Sequence, residues 1–427
     1  MRKIKTGVIG LGCRGKSLIC DVIMHLDNAQ ITAVCDLYED RVNEMCEYIG
    51  KECGTKPLGT TNYREVLKSE EVEAVIISTA WEAHTEIALA AMENGKAVGV
   101  EVGGVYSVEQ CWQLVNTYER LQVPFMFLEN CCFGKREMMA LNMSRMGVFG
   151  DIVYCKGGYH HDLRHEIAFG RENRHYRLEN YIHRNCDNYP THELGPIAKL
   201  LRINDGNRMV SLTSSGSCAK GMHEYISRKK SEDERLMNTE FKQGDIIVTN
   251  IQCAGGELIT LTLDTTLPRY YSRDFTVRGT KGMYEEATDS IFLDNGEDEK
   301  FDMKWKERRD NASEYEEKYM HPLWKKYIED GVRGTHDGMD WLMLKSFFDC
   351  LINKEPMPVD VYDAAAWMCI STLSEFSVSC GGMPVEIPDF TNGKWIGNYK
   401  EGTAAVRKHF CLLLPLISAC IIKYLQN

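Results

Sequence analysis

Along the first 128 residues, short apolar runs alternate with longer amphipathic stretches, the pattern of a parallel sheet covered by helices. Strands are predicted over 4–9, 31–35, 74–78, 97–101 and 125–128. Between the third and fourth of these the spacing predicts a helix over 83–94, and Gly95 follows where a left-handed C-cap residue is expected. After about Gly150 the pattern changes to strands with alternating faces. It is clearest over 257–265, where Ile259, Leu261 and Leu263 alternate with Thr260, Thr262 and Asp264. Gly255-Gly256 separates this run from an apolar stretch over 245–253, a hairpin signal. Further strands over 151–159, 209–215 and 275–278 predict an open antiparallel sheet. Two amphipathic helices, over 341–351 and 360–379, are expected to return and cover it or the first unit.

A chain of 427 residues exceeds what one hydrophobic core usually supports, so two or three packed units are expected. With 44% hydrophobic residues and only 11 prolines, little of it is left for extended disorder. The formal net charge of -12, with no Lys/Arg-rich run, argues against nucleic acid as a partner. The N-terminal MRKIKTGVIGLG leads straight into glycines without a long apolar region, so no secretory signal is expected. Seventeen cysteines without CxxC pairs or regular spacing fit reduced thiols in the cytoplasm. The run over 410–425 is strongly apolar but short for a bilayer span and interrupted by Pro415 and Lys423, so membrane association is not expected. The charged run over 297–317 reads as a solvated face or loop.

Gly10-Leu11-Gly12-Cys13-Arg14-Gly15 is a G-x-G-x-x-G that follows a predicted strand and opens a predicted helix, the context this motif requires. Its glycines permit a tight turn and a close approach to a pyrophosphate, whose charge is stabilised by the free N–H groups of the helix start. Asp36 ends the second strand 21 positions beyond Gly15, where a carboxylate accepts hydrogen bonds from both ribose hydroxyls and repels a 2′-phosphate. The combination predicts NAD as cofactor, in preference to NADP. The class expected is α/β: an N-terminal doubly wound Rossmann domain over 1–128, then an α+β domain with a large open antiparallel sheet over 129–400 for substrate binding and oligomerisation. An apolar tail of unassigned role would occupy 401–427.

The second domain concentrates titratable groups in Tyr159-His160-His161-Asp162, Arg177, Asn188-Tyr189-Pro190-Thr191-His192 and Arg269-Tyr270-Tyr271. With these segments, residues 1–397 resemble the Gfo/Idh/MocA oxidoreductase superfamily. Within it, Trp81-Glu82-Ala83-His84, Glu129-Asn130-Cys131, the run from Gly158 to Arg164, that from Asn188 to His192 and Arg278-Gly279-Thr280-Lys281-Gly282 are similar to the NAD-dependent α-N-acetylgalactosaminidases, a glycoside hydrolase family. The resemblance implies NAD contacts from Gly10, Gly12, Arg14, Gly15, Asp36, Trp81, Glu82, Ala83, His84, Glu101, Val102 and Asn130. It implies substrate contacts from Tyr159, Arg177, Tyr189, Pro190, Thr191, His192 and Tyr271. Two departures stand out. Glu101-Val102-Gly103 replaces the Glu-Lys-Pro triplet whose lysine serves the superfamily's sugar dehydrogenases as a base, and Glu193 replaces a usual glycine, which would place a new carboxylate beside the sugar.

The mechanism implied by that resemblance is oxidation of the sugar at C3 by NAD, loss of the acidified C2 proton, departure of the glycosidic oxygen from C1, addition of water and re-reduction at C3. Each proton transfer needs a positioned group with a pKa near the working pH. His192 and Tyr271 are the catalytic candidates near C3 and C2, and Tyr159 and His161 those for base or leaving-group duty. No metal is expected, since His161 and His165 lack the glutamate of HExxH and sit at a strand end. Cys131-Cys132 read as small buried apolar residues. Two other functions remain open at this point, a net sugar or cyclitol dehydrogenase and a silent NAD-binding regulator. A homo-oligomer, a dimer formed through one face of the second sheet, is expected from that sheet and from the resemblance.

Overall fold

The computed structural model describes residues 2–398; the apolar run over 410–425 and the tail over 401–427 lie outside the described residues. Six parallel strands form the first sheet: β1 (Ile4–Ile9), β2 (Ala29–Cys35), β3 (Leu58–Thr60), β4 (Ala74–Ile77), β5 (Ala97–Val100) and β6 (Phe125–Phe127), in the order β3-β2-β1-β4-β5-β6. Every residue of β4, β5 and β6 is buried, because helices cover both faces, and these strands therefore read as continuous apolar runs. The edge strand β3 left no such signature, since its Leu-Gly-Thr is largely exposed. The helices are α1 (Cys13–Ser17), α2 (Glu39–Cys53), α3 (Tyr63–Lys68), α4 (Trp81–Glu93) and α5 (Val108–Leu121). Strand order reverses between β1 and β4, so their carboxyl ends open a crevice. Gly10 sits in it, its N–H donated to the Cys35 carbonyl at 2.8 Å and its carbonyl accepting from Ser78 Oγ at 2.9 Å.

The helix α6 (Lys135–Arg145) leads into the second sheet. That sheet has eight strands: β7 (Ile152–His160), β8 (Met209–Gly216), β9 (Ile246–Cys253), β10 (Leu258–Asp264), β11 (Thr276–Gly279), β12 (Gly282–Glu285), β13 (Ser290–Leu293) and β14 (Val385–Glu386). Their order is β13-β12-β11-β7-β10-β9-β8-β14. The open sheet is as expected, with one refinement: its central pair β7 and β10 runs parallel, from Tyr154 opposite Leu258 to His160 opposite Asp264. The chain leaves β7 through α7 (Arg164–Ala168), α8 (Arg177–His183) and α9 (Thr191–Leu200) and returns only later, and such a crossover permits parallel pairing where a tight hairpin does not. The β9–β10 hairpin turns at Gly256, whose φ of 100° falls in the left-handed region open to glycine.

Ile247, Ile251, Ile259, Leu261 and Leu263 are buried on the helix-covered face. The helix Val361–Ser379 packs against β8 in the second domain and against α5 in the first, and so joins the two. The apolar residues behind the expectation of a self-associating face are thus turned inward. The other face is polar, with Thr260 donating to Asn250 Oδ1 at 2.8 Å. The charged run is mostly exposed and folds into short turns over Asp298–Glu307 and Ala312–Tyr315.

Asp187 is buried between sheet and helix, its backbone N–H donated to Ser374 Oγ at 2.9 Å, with no cation against its carboxylate among the described residues. Burial pushes its carboxyl up to about 7, partly offset by hydrogen bonds from the Tyr189 N–H and Thr249. A folded pKa above the unfolded value favours the protonated form, so this stability is present below about pH 4 and is lost as pH rises toward 7, by on the order of 1.4 kcal/mol for each pH step between the two pKa values. Urea unfolding at pH 5 and pH 8 is expected to show a larger loss across that interval in wild type than in Asp187→Asn; equal losses count against a neutral Asp187.

Candidate active site

At the nucleotide end the backbone leaves room for a pyrophosphate. A Cβ on Gly15 would stand 1.9 Å from the Gly10 carbonyl oxygen, so only glycine lets α1 start this close to β1. A Cβ on Gly12 would meet nothing nearer than Arg41 at 3.8 Å, so that glycine opens onto the crevice. The first N–H groups of α1 have no partner within the helix and line this opening. Asp36 is nearly buried; Oδ2 accepts from the Leu11 N–H at 2.7 Å and Oδ1 from the Tyr38 N–H at 3.0 Å. These bonds fix the carboxylate beside the loop and leave lone pairs for ribose hydroxyls. The residues therefore fit a dinucleotide.

Two further residues assigned to the cofactor, Arg14 and Asn130, converge on a group that no sequence motif singles out, and a third, Glu101, joins them through Arg14. Arg14 donates through Nε to Glu101 Oε1 at 2.8 Å and through Nη1 and Nη2 to Asp340 at 2.7 and 2.8 Å. Asn130 Nδ2 donates to the same Asp340 at 2.9 Å. Asp340 opens the helix Met339–Asn353, far along the chain, where no local pattern marks it. Burial opposes its charge, yet Arg14 and His336 hold its carboxyl far below the usual carboxylate range.

His84 is buried, its ring nitrogens 3.2 Å from the Gly103 carbonyl and 3.0 Å from that of Thr79. Burial lowers its pKa, and its two ring nitrogens brace the segments that carry Thr79 and Gly103. Gly103 and Gly104, with φ of 79° and 102°, press against Trp81 and His84, where a Cβ would come within 2.4 and 2.6 Å. Val102 is buried, Ala83 is half-buried, and Glu82 is exposed with no hydrogen bond among the described residues.

From Trp81 an aromatic wall runs into the second domain. Tyr176 packs on Trp81 with ring centres 4.7 Å apart, Tyr189 lies 5.7 Å from Trp81, and Tyr159 lies 4.3 Å from Tyr189. Pro190, with φ of -75° already suited to a helix start, caps α9 and sends Thr191 and His192 into its first turn. Thr191 is buried, and the His192 ring stands edge-on to Tyr189 at 4.8 Å and to Tyr159 at 5.4 Å. His161, just past the end of β7, shares a hydrogen bond with the Tyr159 hydroxyl through Nδ1 at 2.9 Å. Tyr271, half-exposed on the loop before β11, closes the group 5.2 Å from His161. Sequence segments more than a hundred residues apart thus place all four catalytic candidates around one opening.

Glu129, to which the sequence motifs give no role, orients His192. Its Oε1 lies 2.8 Å from His192 Nδ1, and because a carboxylate only accepts, Nδ1 carries the proton and Nε2 is left as a base. Burial would raise the Glu129 pKa, but His192 and its hydrogen bonds hold it below the ordinary value. Burial, followed by the charge of Arg177, lowers the pKa of His161 and favours its neutral form. Burial also raises the hydroxyls of Tyr159 and Tyr271, which keeps both protonated. Arg177 lies over Tyr189 at 5.0 Å and Trp81 at 5.1 Å and is ion-paired with Glu166 at 2.6 Å, while its Nη1 is buried without a hydrogen bond, a donor available to a ligand. Glu193 does not reach the sugar site as expected. It is fully buried against Gly157 and directed at Arg273, 3.3 Å away, which also pairs with Glu137. Glu129, Cys131 and His192 place potential metal-ligand atoms within 4.8 Å of one another. The Glu129–His192 hydrogen bond already joins two of these, and burial drives the Cys131 thiol up, away from the thiolate a metal prefers.

Fold and site together define an NAD-binding oxidoreductase-type protein adapted to act on a sugar. Residues 4–128 match the oxidoreductase family with an NAD-binding Rossmann fold, and residues 133–397 match the glycosyl hydrolase 109 C-terminal domain. The chain belongs to glycosyl hydrolase family 109, and its cofactor is NAD. It is 37% identical to a glycosyl hydrolase family 109 protein of Parabacteroides distasonis, over 92% of this chain and 88% of that one. It is 36% identical to an alpha-N-acetylgalactosaminidase of Tannerella forsythia, over 92% and 87%. In fold it is similar to a levoglucosan dehydrogenase solved with NADH and levoglucosan (TM-score 0.65, 16% identity, 91% and 100% of the two chains). A scyllo-inositol dehydrogenase of Lactobacillus casei has a TM-score of 0.63 at 14% identity, covering 90% of this chain and 99% of that one.

Glu129→Gln is expected to lower turnover of an aryl glycoside by roughly 10²–10⁴-fold, as removal of a histidine's orienting carboxylate does, with NAD affinity unchanged. Wild-type turnover in this variant would remove Glu129 from the machinery. In a binding titration, Asp36→Ala is expected to weaken NAD at least tenfold and to raise the NADP to NAD ratio. Equal wild-type affinity for both nucleotides refutes the assignment.

Proposed function

We propose that the enzyme removes a terminal α-linked N-acetylgalactosamine by oxidation at C3, elimination across C1–C2, hydration and re-reduction. The observation that carries this reading is the Glu129–His192 pair, set with Tyr159, His161 and Tyr271 at the end of an aromatic wall that begins in the nucleotide domain. The name of the Tannerella relative supports the choice of sugar. When bound, NAD supplies the acceptor for the C3 hydride and the donor that later returns it.

In this reading His192 Nε2 takes the proton of the C3 hydroxyl while Glu129 steadies the resulting imidazolium. Tyr271 stands at C2. Tyr159 and His161, sharing one hydrogen bond, serve as base or as acid at the leaving oxygen. Arg177 Nη1, Tyr189, Pro190 and Thr191 hold the sugar. A displacement glycosidase needs two carboxylates about 5–9.5 Å apart across the bond. Here the nearby carboxylates are each engaged: Glu129 on His192, Glu166 on Arg177 and Asp162 on Arg164. A net dehydrogenase is disfavoured by Val102 and by the glycine bend after it.

The reading extends to a cytoplasmic homodimer. All fifteen cysteines among the described residues are free, which suits a reducing compartment. Among the described residues no helix is long and apolar enough to cross a membrane. The open face around Thr260 and Asn250 is the surface for the dimer, and light scattering that reports a monomer at micromolar concentration overturns it.

Breaking and remaking C2–H means that sugar released in deuterated water is expected to carry deuterium at C2, without build-up of NADH. His192→Ala is expected to abolish turnover while NAD stays bound. Product free of C2 deuterium, or NADH formed in proportion to substrate, overturns the elimination mechanism.

A further inference from the structure

We propose that Asp340 and the turn over 334–338 form a latch that closes on the nucleotide loop and holds NAD as a resident cofactor, with His336 as the latch residue facing it. This inference rests on the NAD-dependent reading above and adds the device that such a cycle requires. A sugar oxidised and then re-reduced within one turnover is released intact only if the same cofactor stays throughout. A dehydrogenase, by contrast, must exchange its nucleotide every cycle.

Asp340 is fully buried and gathers five donors: two from Arg14, one from Asn130, one from Thr335 Oγ1 at 2.6 Å and one from His336 Nδ1 at 2.7 Å. Arg14 belongs to the nucleotide loop, while Thr335 and His336 belong to the turn. One carboxylate therefore ties the loop to a segment more than three hundred residues away. The turn has an unusual backbone, with φ of 80° at Gly334, 50° at His336, 53° at Asp337 and 90° at Gly338. Two adjacent non-glycine residues in the left-handed region persist only where surrounding contacts over-determine them, and Asp340 supplies those contacts from both Thr335 and His336.

The turn also seats on the first domain, since a Cβ on Gly334 would approach Val22 to 3.6 Å. His336 is the part of the latch left open to solvent. Its Nδ1 is committed to Asp340, its side chain is 54% exposed beside Arg14, and Nε2 makes no hydrogen bond among the described residues. That nitrogen is the group available to a phosphate or ribose oxygen of the dinucleotide. Asp340 is a positioning residue here, acting through Arg14 and the turn.

The test is the rate at which the full-length protein releases nucleotide. Wild type, Asp340→Asn and His336→Ala are loaded with NADH and chased with excess NAD while NADH fluorescence is followed. The off-rate is expected to rise at least tenfold in Asp340→Asn, whose apo-protein melts lower for loss of its buried ion pair, and about three- to tenfold in His336→Ala, whose apo-protein melting temperature stays unchanged. Turnover in both variants is expected to become dependent on added NAD, through the KM for NAD more than through kcat. If Asp340→Asn does not fold, the exposed His336→Ala decides alone. Folded variants that release NADH at the wild-type rate overturn the latch and leave the NAD-dependent reading standing. A wild type that binds no NADH and cleaves glycosides without NAD overturns that reading itself, and the latch with it.

Discussion

The buried pairing of Arg14 with Asp340 is the interaction on which the rest of the site depends. Arg14 lies inside the glycine loop and Asp340 opens a helix of the second domain, so this contact sets how the two domains meet at the crevice. Removing one partner of such a pair would leave an uncompensated buried charge, at a cost of about 3–5 kcal/mol. The surrounding donors explain why the charge is tolerated, since Asn130, Thr335 and His336 share the carboxylate with Arg14. Glu101, at the end of β5, holds the Nε side of the same guanidinium and extends the network into the first sheet.

On this frame the aromatic wall carries the site from one domain to the other. Trp81 opens α4 of the nucleotide domain, and Tyr189 and Tyr159 continue the layer in the second domain. Arg177 binds the faces of Trp81 and Tyr189 and raises the cost of charging His161, which lies within its field. The wall thus carries burial up to the acid–base groups, lowering the pKa of His161 and raising the hydroxyls of Tyr159 and Tyr271. The glycine bend at Gly103-Gly104 has the same logic in reverse. Val102, which stands where a sugar dehydrogenase carries its lysine, is buried, and the two glycines after it lie flat against Trp81 and His84.

Much of this architecture was readable without coordinates. The parallel strands β1, β2, β4, β5 and β6 and the hairpin β9–β10 lie within a few residues of their predicted positions, because burial on one or both faces imposes a periodicity on the sequence. The nucleotide loop and Asp36 were legible for a related reason, since the chemistry of a pyrophosphate and a ribose fixes residue types at short spacing. Short strands such as β3, β12 and β13 left too few residues for a pattern, and the parallel pairing of β7 with β10 depends on a crossover that no local signal encodes.

The sequence by itself determined the two-domain plan and the NAD loop, which rest on local pattern and spacing, while its resemblance to a known family marked the stretches that hold Tyr159, His161, His192 and Tyr271. Only the tertiary structure decided which neighbours those residues have. It paired Glu129 with His192, turned Glu193 away from the sugar toward Arg273, and gathered Arg14, Asn130 and His336 on Asp340. These contacts join positions tens to hundreds of residues apart. Their partners are chosen by how helices and sheets pack, and by the need of every buried charge for a counter-charge or a hydrogen bond.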